Sequence, residues 1–181
     1  MSETSPIADG ALGAKVRAGE VLSRLPAGSI MGVEVGVFSG RMSRALLAGH
    51  PDLVLLMVDS WEGNGTSYLE PTDDWHGSLT QAQQDAYMAG ALQNTDFAHE
   101  RRTIIKRRSL DVAAYVEAGE ADFVFLDADH SEAGCRADIA AWWSKIKAGG
   151  FLSGHDYDHP LFPGVRHAVD QFVADTGLSL S

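Results

Sequence analysis

The stretch Ile30-Met31-Gly32-Val33-Glu34-Val35-Gly36-Val37-Phe38-Ser39-Gly40, running on into Arg41-Met42-Ser43-Arg44-Ala45-Leu46-Leu47, decides how the chain is read. An apolar run with β-forming residues meets Gly36 and Gly40. A helical pattern then begins, with Met42, Leu46 and Leu47 on one side and Gly49 as its stop. This is strand, glycine turn, helix. In an open α/β sheet such a turn lies at the carboxyl end of the first strand, where glycines let the backbone approach a ligand that a Cβ would keep away. The plainer alternative is a tight turn that holds no ligand.

Two further features favour a ligand. Leu53-Val54-Leu55-Leu56-Met57-Val58 is a continuous apolar run of buried-strand type, and it ends in Asp59, 23 residues beyond Gly36. An acidic side chain about 20 residues past the glycine turn, at the tip of the second strand, is where a ribose diol is held. Glu34 stands inside the strand itself, and a carboxylate there is costly to bury unless it is paired or close to a cation.

These residues resemble class I S-adenosylmethionine-dependent methyltransferases, whose first motif is an acidic residue, any residue, Gly, three residues, Gly. Here it reads Glu34-Val35-Gly36-Val37-Phe38-Ser39-Gly40. The resemblance continues through Asp59, Ser109-Leu110, Phe123 to His130 and Gly149 to Tyr157, and so covers the chain from about Val21 to Phe172. It implies an α/β, Rossmann-like sheet, mostly parallel, with helices on both faces and S-adenosylmethionine as cofactor. By the same resemblance, Glu34, Gly36 and Gly40, with Phe38 and Ser39 in the same turn, surround the methionine portion. Asp59 takes the ribose, Trp61 or its neighbour the adenine face, Ser109 and Leu110 the adenine edge, and Asp127 lies near the transferred methyl. A leading helix covers the cofactor end of the sheet.

At 181 residues the expectation is a single domain over 1–181, with a flexible tail over 1–10 and a lid-like insertion over 60–100. No stretch approaches the roughly 20 apolar residues that span a bilayer. The amino terminus lacks a basic region followed by an apolar core, so a cytoplasmic location is expected. The single cysteine, Cys135, excludes an internal disulfide and a cysteine-built zinc site within one chain. A net charge of −11 argues against nucleic acid or an anionic membrane as partner. The local exception, Arg101-Arg102 with Lys106-Arg107-Arg108, reads as a solvated strand end.

Periodicity predicts a helix over 11–25 with Leu12, Val16, Leu22 and Leu25 inward, and another from about Ser78 to Asn94. It predicts a third strand over 103–106 and a helix capped by Ser109 that holds Val112, Tyr115 and Val116. The fourth strand spans 122–127. A helix opened by Ser131 then buries Cys135, Ile139, Trp142, Trp143 and Ile146. Gly149-Gly150 stops that helix, the fifth strand begins at Phe151, and a last helix runs over 164–175. The resembled fold finishes with an antiparallel hairpin, for which this chain has room for one short strand at most. The hairpin is therefore expected to be short or incomplete, or the sheet edge to be completed by a second copy in a homodimer.

The clusters Asp127-Ala128-Asp129-His130 and His155-Asp156-Tyr157-Asp158-His159 follow two strands expected to be adjacent. Carboxylates that converge there raise one another's pKa unless a cation is present, which points to a metal or to proton transfer. The pattern is similar to metal-dependent sugar and small-molecule O-methyltransferases. That likeness implies Asp127, His155 and Asp156 as ligands for Mg²⁺ or Mn²⁺, with imidazole at His155 favouring Mn²⁺, Fe²⁺ or Zn²⁺ over Mg²⁺. His130 is the expected general base, or a capping histidine, and Asp129 a third ligand or a base. His76, His159 and His167 join them only if the lid or last helix folds over the site, whereas His50 and His99 are expected at the surface. The implied reaction is O-methylation of a small hydroxylated metabolite or sugar. Two other readings stand beside it: a nucleotide-sugar glycosyltransferase using Asp127-x-Asp129, and a noncatalytic cofactor-binding member. A nicotinamide enzyme is disfavoured because Gly-x-Gly-x-x-Gly is not present at the turn.

Overall fold

The computed structural model describes residues 6–28, 30–63 and 75–180. Its centre is a five-stranded sheet in the order β3-β2-β1-β4-β5, every neighbouring pair parallel. The strands are β1 (Ile30–Val35), β2 (Leu53–Asp59), β3 (Arg102–Lys106), β4 (Ala121–Leu126) and β5 (Ile146–Gly154). Among the described residues six α-helices accompany them: α1 (Pro6–Leu22), α2 (Arg41–Gly49), α3 (Gln81–Asn94), α4 (Ser109–Ala113), α5 (Glu132–Trp143) and α6 (Pro163–Thr176). Strand order reverses between β1 and β4, so the turns that leave those two strands diverge and open a crevice at their carboxyl ends.

Side-chain alternation sends the strands' residues to two covered faces. Leu53, Leu55, Met57, Phe123 and Phe125 pack with Ala18, Val21, Leu46 and Leu47 of α1 and α2. On the other face Val33, Val35, Leu56, Val58 and Val124 meet Val112 of α4 and Trp142 of α5, and α6 adds Val165 and Ala168 against Cys135 and Ile139. The near-continuous apolar reading of β1 and β2 follows from burial on both sides. Among the described residues no helix is long and apolar enough to cross a membrane, and none after α6 forms a strand.

Several elements differ from the sequence expectation. The first helix begins at Pro6, not near residue 11, and presents Ala14, Ala18 and Val21 inward while Leu12 and Val16 are 64% and 57% exposed. Small side chains let α1 close onto α2, so its buried stripe is the least hydrophobic-looking one. The helix expected from 78 splits into a 3-10 turn, Trp75–Ser78, and α3, whose start is set by a capping box of Thr80 and Gln83. Ser109 is the first residue of α4 and not its cap, and Tyr115 is exposed. Trp143 is partly exposed against Phe172. Strand β5 starts at Ile146, five residues early. Gly149, at φ 87°, falls where the register jumps from Ala121↔Ile146 to Phe123↔Phe151, so the glycine pair forms an irregularity inside a strand and not a helix stop. In the basic cluster, Arg101 donates to the carbonyls of Leu47, His50 and Leu53, Lys106 pairs with Asp85 at 2.9 Å and Arg108 with Glu62 at 3.0 Å. Those cations serve local structure. Of the insertion expected over 60–100, residues 64–74 lie outside the described residues.

Candidate active site

The glycine turn is held from three sides. Asp59, at the tip of β2, accepts the backbone N–H groups of Val37 and Phe38 on Oδ2, at 2.9 and 2.8 Å, and that of Trp61 on Oδ1 at 2.8 Å. The Trp61 indole, wholly buried, donates to the Phe38 carbonyl at 2.9 Å. Gly36 has φ 88°, and a Cβ there would stand 1.9 Å from the Asp127 carbonyl oxygen; at Gly40, φ 71°, it would stand 2.8 Å from Cα of Ala91 in α3. The close approaches that demand glycine are therefore made to β4's exit and to α3. Gly36→Ala is expected to cost about 2 to 3 kcal/mol in a urea titration, from the strained φ and the collision together.

Above this turn lies a cavity of about 960 Å³ lined by residues at the ends of β1, β2, β4 and β5. Of the residues singled out from sequence, Glu34, Gly36, Phe38, Ser39, Asp59, Ser109, Leu110, Asp127, Asp129, His130, His155 and Asp156 all line it. Gly40 and Trp61 do not. Trp61 is a core residue that braces the turn, which rules out its ring as an adenine platform. Phe38, itself at φ 50°, faces Tyr87, with ring centroids 3.8 Å apart, and meets His76 edge-on at 4.9 Å.

Glu34 is buried on the α1–α2 side of the sheet and accepts a 2.5 Å hydrogen bond from the Ser43 hydroxyl. Burial pushes its pKa up to about 8, with Asp127 and Asp59 adding to the rise while Ser43 and Arg17 oppose it. Asp59 is likewise raised by burial, against the pull of its three backbone donors.

At the ends of β4 and β5, His130 Nε2 lies 3.1 Å from Asp156 and 3.4 Å from Asp127. One donor atom from each of these three residues falls within 4.8 Å of the others. His155 Nδ1 is 2.9 Å from Asp156 but 3.9 Å from Asp127, and its Nε2 lies 3.3 Å from Arg17. The geometry thus groups Asp127, His130 and Asp156, where the sequence expectation had His155 in the set. Asp156 adopts φ 61°, an unusual turn for a residue other than glycine that swings its carboxylate between the two imidazoles. Burial raises its pKa, and the bonds from His130 and His155 outweigh that and hold it well below the usual range.

Asp129 stands apart from this group. Its Oδ1 accepts the Ser131 N–H at 2.9 Å, ahead of α5, and its Oδ2 is buried without a hydrogen-bond partner. A Cβ at Gly134 would collide with it. Asp129 lines the cavity but falls outside the group formed by Asp127, His130 and Asp156. The sequence reading missed Arg17, Arg41, Glu62 and Asp138, which also line the cavity. Asp138 accepts from the Ser109 hydroxyl at 2.5 Å, which in turn accepts from Trp142 Nε1 at 2.8 Å. Burial lifts Asp138 to about 6, with Ser109 opposing. An acidic residue on the inward stripe of α5, between Cys135 and Trp142, was the available signal.

The family model described as a methyltransferase domain matches residues 33–157. No curated protein sequence matches the chain. Among solved structures the fold is similar to a protein of Corynebacterium glutamicum, with TM-score 0.67 and 14% identity over 100% of this chain and 86% of that one. It is also similar to the calicheamicin methyltransferase CalS11, with TM-score 0.65 and 16% identity over 96% and 74% of the two chains. A third likeness is to TomG of Streptomyces achromogenes, an O-methyltransferase of tomaymycin synthesis solved with S-adenosylmethionine, at TM-score 0.61 and 17% identity over 93% and 69%. At these identities the likenesses speak for the fold, while the family match spans most of the sheet, the cluster Asp127 to His130 and the second cluster as far as Tyr157. The chain belongs to the methyltransferase-domain family and is an S-adenosylmethionine-dependent methyltransferase.

Proposed function

We propose that the methyl group is transferred to a hydroxyl of a small molecule, a metabolite or sugar, with a divalent cation held by Asp127, His130 and Asp156. The observation that carries this reading is the convergence of those three side chains in the cavity that also contains the glycine turn. The resemblance of the fold to O-methyltransferases such as TomG supports it. A donor set of two carboxylates and one imidazole suits Mn²⁺ or Fe²⁺ better than Mg²⁺. Such a cation, when bound, lowers the pKa of the acceptor hydroxyl and orients it.

The residues present also fit the cofactor. The cavity is of ligand size, and it offers an acid at Glu34 for an ammonium. Turn residues Gly36 to Ser39 face the amino-acid portion, Asp59 the ribose, Ser109 and Leu110 the adenine edge, and Asp127 the methyl to be transferred. Asp59 brings to that role a carboxylate that already accepts three backbone N–H groups. Methyl transfer is an in-line displacement, so the protein's contribution is to align the acceptor oxygen and to remove its proton.

A second reading of the same site needs no cation. The 3.1 Å contact to Asp156 favours it: His130 takes the hydroxyl proton, and Asp127 and Asp156 orient the imidazole and stabilise its charged form. The match to a methyltransferase-domain family speaks against the glycosyltransferase reading of Asp127-x-Asp129. In either form the reading is of a cytoplasmic enzyme whose partner is its small acceptor, without nucleic acid or membrane, in keeping with a net charge of −11.

Calorimetric titration of metal-stripped protein with S-adenosylhomocysteine, repeated with Mn²⁺ and Mg²⁺, tests both forms. Micromolar binding of S-adenosylhomocysteine is expected, together with a separate Mn²⁺ heat that disappears in Asp156→Asn. Absence of any metal heat, with transfer surviving chelation, would leave the His130 form. Binding without transfer to a broad panel of hydroxyl compounds would instead mark a noncatalytic member.

A further inference from the structure

The link between β5 and α6 runs as successive turns. The N–H of His159 donates to the Asp156 carbonyl, that of Phe162 to the His159 carbonyl and that of Val165 to the Phe162 carbonyl, each at 3.1 Å. Gly164, in the first turn of α6, lies so close to Glu132 that a Cβ there would stand 2.5 Å from its backbone nitrogen. This contact sets the start of α6 against the start of α5 and brings Phe162 to His130, just ahead of α5. The Phe162 ring stacks on the His130 imidazole with centroids 4.3 Å and planes 15° apart, and on that of His159 at 4.6 Å and 23°. It is 9% exposed and packs with Cys135, Ile139, Val165 and Ala168. A ring so enclosed has no open face for an acceptor, although the residue borders the cavity. His159, expected at the site if the last helix folded over it, lies against Phe162 instead.

We propose that Phe162 is a positioning residue, whose ring face fixes the plane of the His130 imidazole. The assignment rests on the part His130 plays in either form of the proposed function. The terminal torsion of a histidine is soft, so rotamer preference alone leaves the ring plane open and packing must choose it. The stack makes that choice. It leaves the Nε2 edge directed at Asp156 and Asp127, 3.1 and 3.4 Å away. Turning the ring would break the stack and withdraw Nε2 from both carboxylates. Asp156 and Phe162 belong to one run of turns, so a single segment sets both the carboxylate and the ring that act on His130. Phe162 works through His130 and touches no reacting atom.

The test is NMR on the full chain without cofactor or metal, with ¹³C-labelled histidine rings and the His130 signals identified by their loss in His130→Asn. Protons held over an aromatic face are shielded, so those of His130 are expected upfield of their random-coil positions. In Phe162→Leu that shift is lost and the ring order parameter falls from the rigid to the flexible range, and in Phe162→Tyr, which keeps the ring, both return. In the cation form, calorimetry is expected to show Mn²⁺ bound about 10- to 100-fold more weakly by Phe162→Leu, with S-adenosylhomocysteine within about twofold of wild type. A Phe162→Leu protein that loses urea resistance while the His130 shift and order stay unchanged would mean a packing role and overturn the assignment. If that variant fails to fold, wild type decides alone: His130 protons without an upfield shift overturn the proposal. A wild type that binds neither Mn²⁺ nor S-adenosylhomocysteine, with the His130 signature intact, removes the functional reading and the part given to Phe162. A missing signature beside normal binding overturns this proposal alone.

Discussion

Asp59→Ala is expected to lower the unfolding free energy of the cofactor-free protein by on the order of 4 kcal/mol and to weaken S-adenosylhomocysteine by more than about tenfold. One carboxylate satisfies three backbone N–H groups, from Val37, Phe38 and Trp61. Hydrogen bonds to a charged acceptor contribute about 1.5 to 3 kcal/mol each, and their removal leaves the donors unsatisfied beside a buried turn. The positive φ of Phe38 and Trp61 persists only while the surroundings over-determine it, and Asp59 accepts the backbone N–H of both. Asp59→Asn keeps one acceptor oxygen and turns an amide NH₂ toward a backbone donor, so an intermediate loss is expected. Urea titration without ligand separates this role from the one the sequence suggested. A residue that only held ribose would leave cofactor-free stability unchanged and lower affinity alone; that result would refute the clamp.

The spacing from Gly36 to Asp59 located the carboxylate correctly, but spacing cannot say which donors it meets. Those donors come from a turn whose path depends on Trp61, and Trp61 reads equally well as an aromatic platform or as core. The central strands were legible because burial on both faces leaves β1 and β2 almost wholly apolar. The face of α1 was not legible, because close packing on α2 selects alanines and leaves Leu12 and Val16 outside. That choice also concealed Arg17: three residues from Ala14 and four from Val21, it is a cation on the buried stripe once the stripe is correctly placed. The sequence reading gave His155 the ligand role and His130 that of general base, whereas the structure sets His130 beside both Asp127 and Asp156. What separates them is the positive φ of Asp156, a backbone feature that two neighbouring residue names do not reveal.

Glu34 is expected to make stability and cofactor binding depend on pH in a way that Glu34→Gln abolishes. Burial lifts its pKa from 4.5 to about 8 in the folded chain. The native state therefore keeps a proton that the unfolded chain has lost between those values. The stabilisation is fully present below the unfolded pKa and is lost as pH rises toward about 8, by up to about 1.4 kcal/mol per pH unit. Urea titrations from pH 5 to 8 are expected to show wild type losing this increment relative to Glu34→Gln; parallel curves for the two proteins would contradict the raised pKa. The protonated carboxyl has a second consequence. An ammonium brought against Glu34 favours its ionised form, so binding S-adenosylhomocysteine at pH 7 is expected to release about one proton. The calorimetric enthalpy then varies with the ionisation enthalpy of the buffer, the variation fades above pH 8, and Glu34→Gln shows none while binding more weakly. An enthalpy independent of buffer at pH 7, with affinity unchanged in Glu34→Gln, would place the ammonium elsewhere in the cavity.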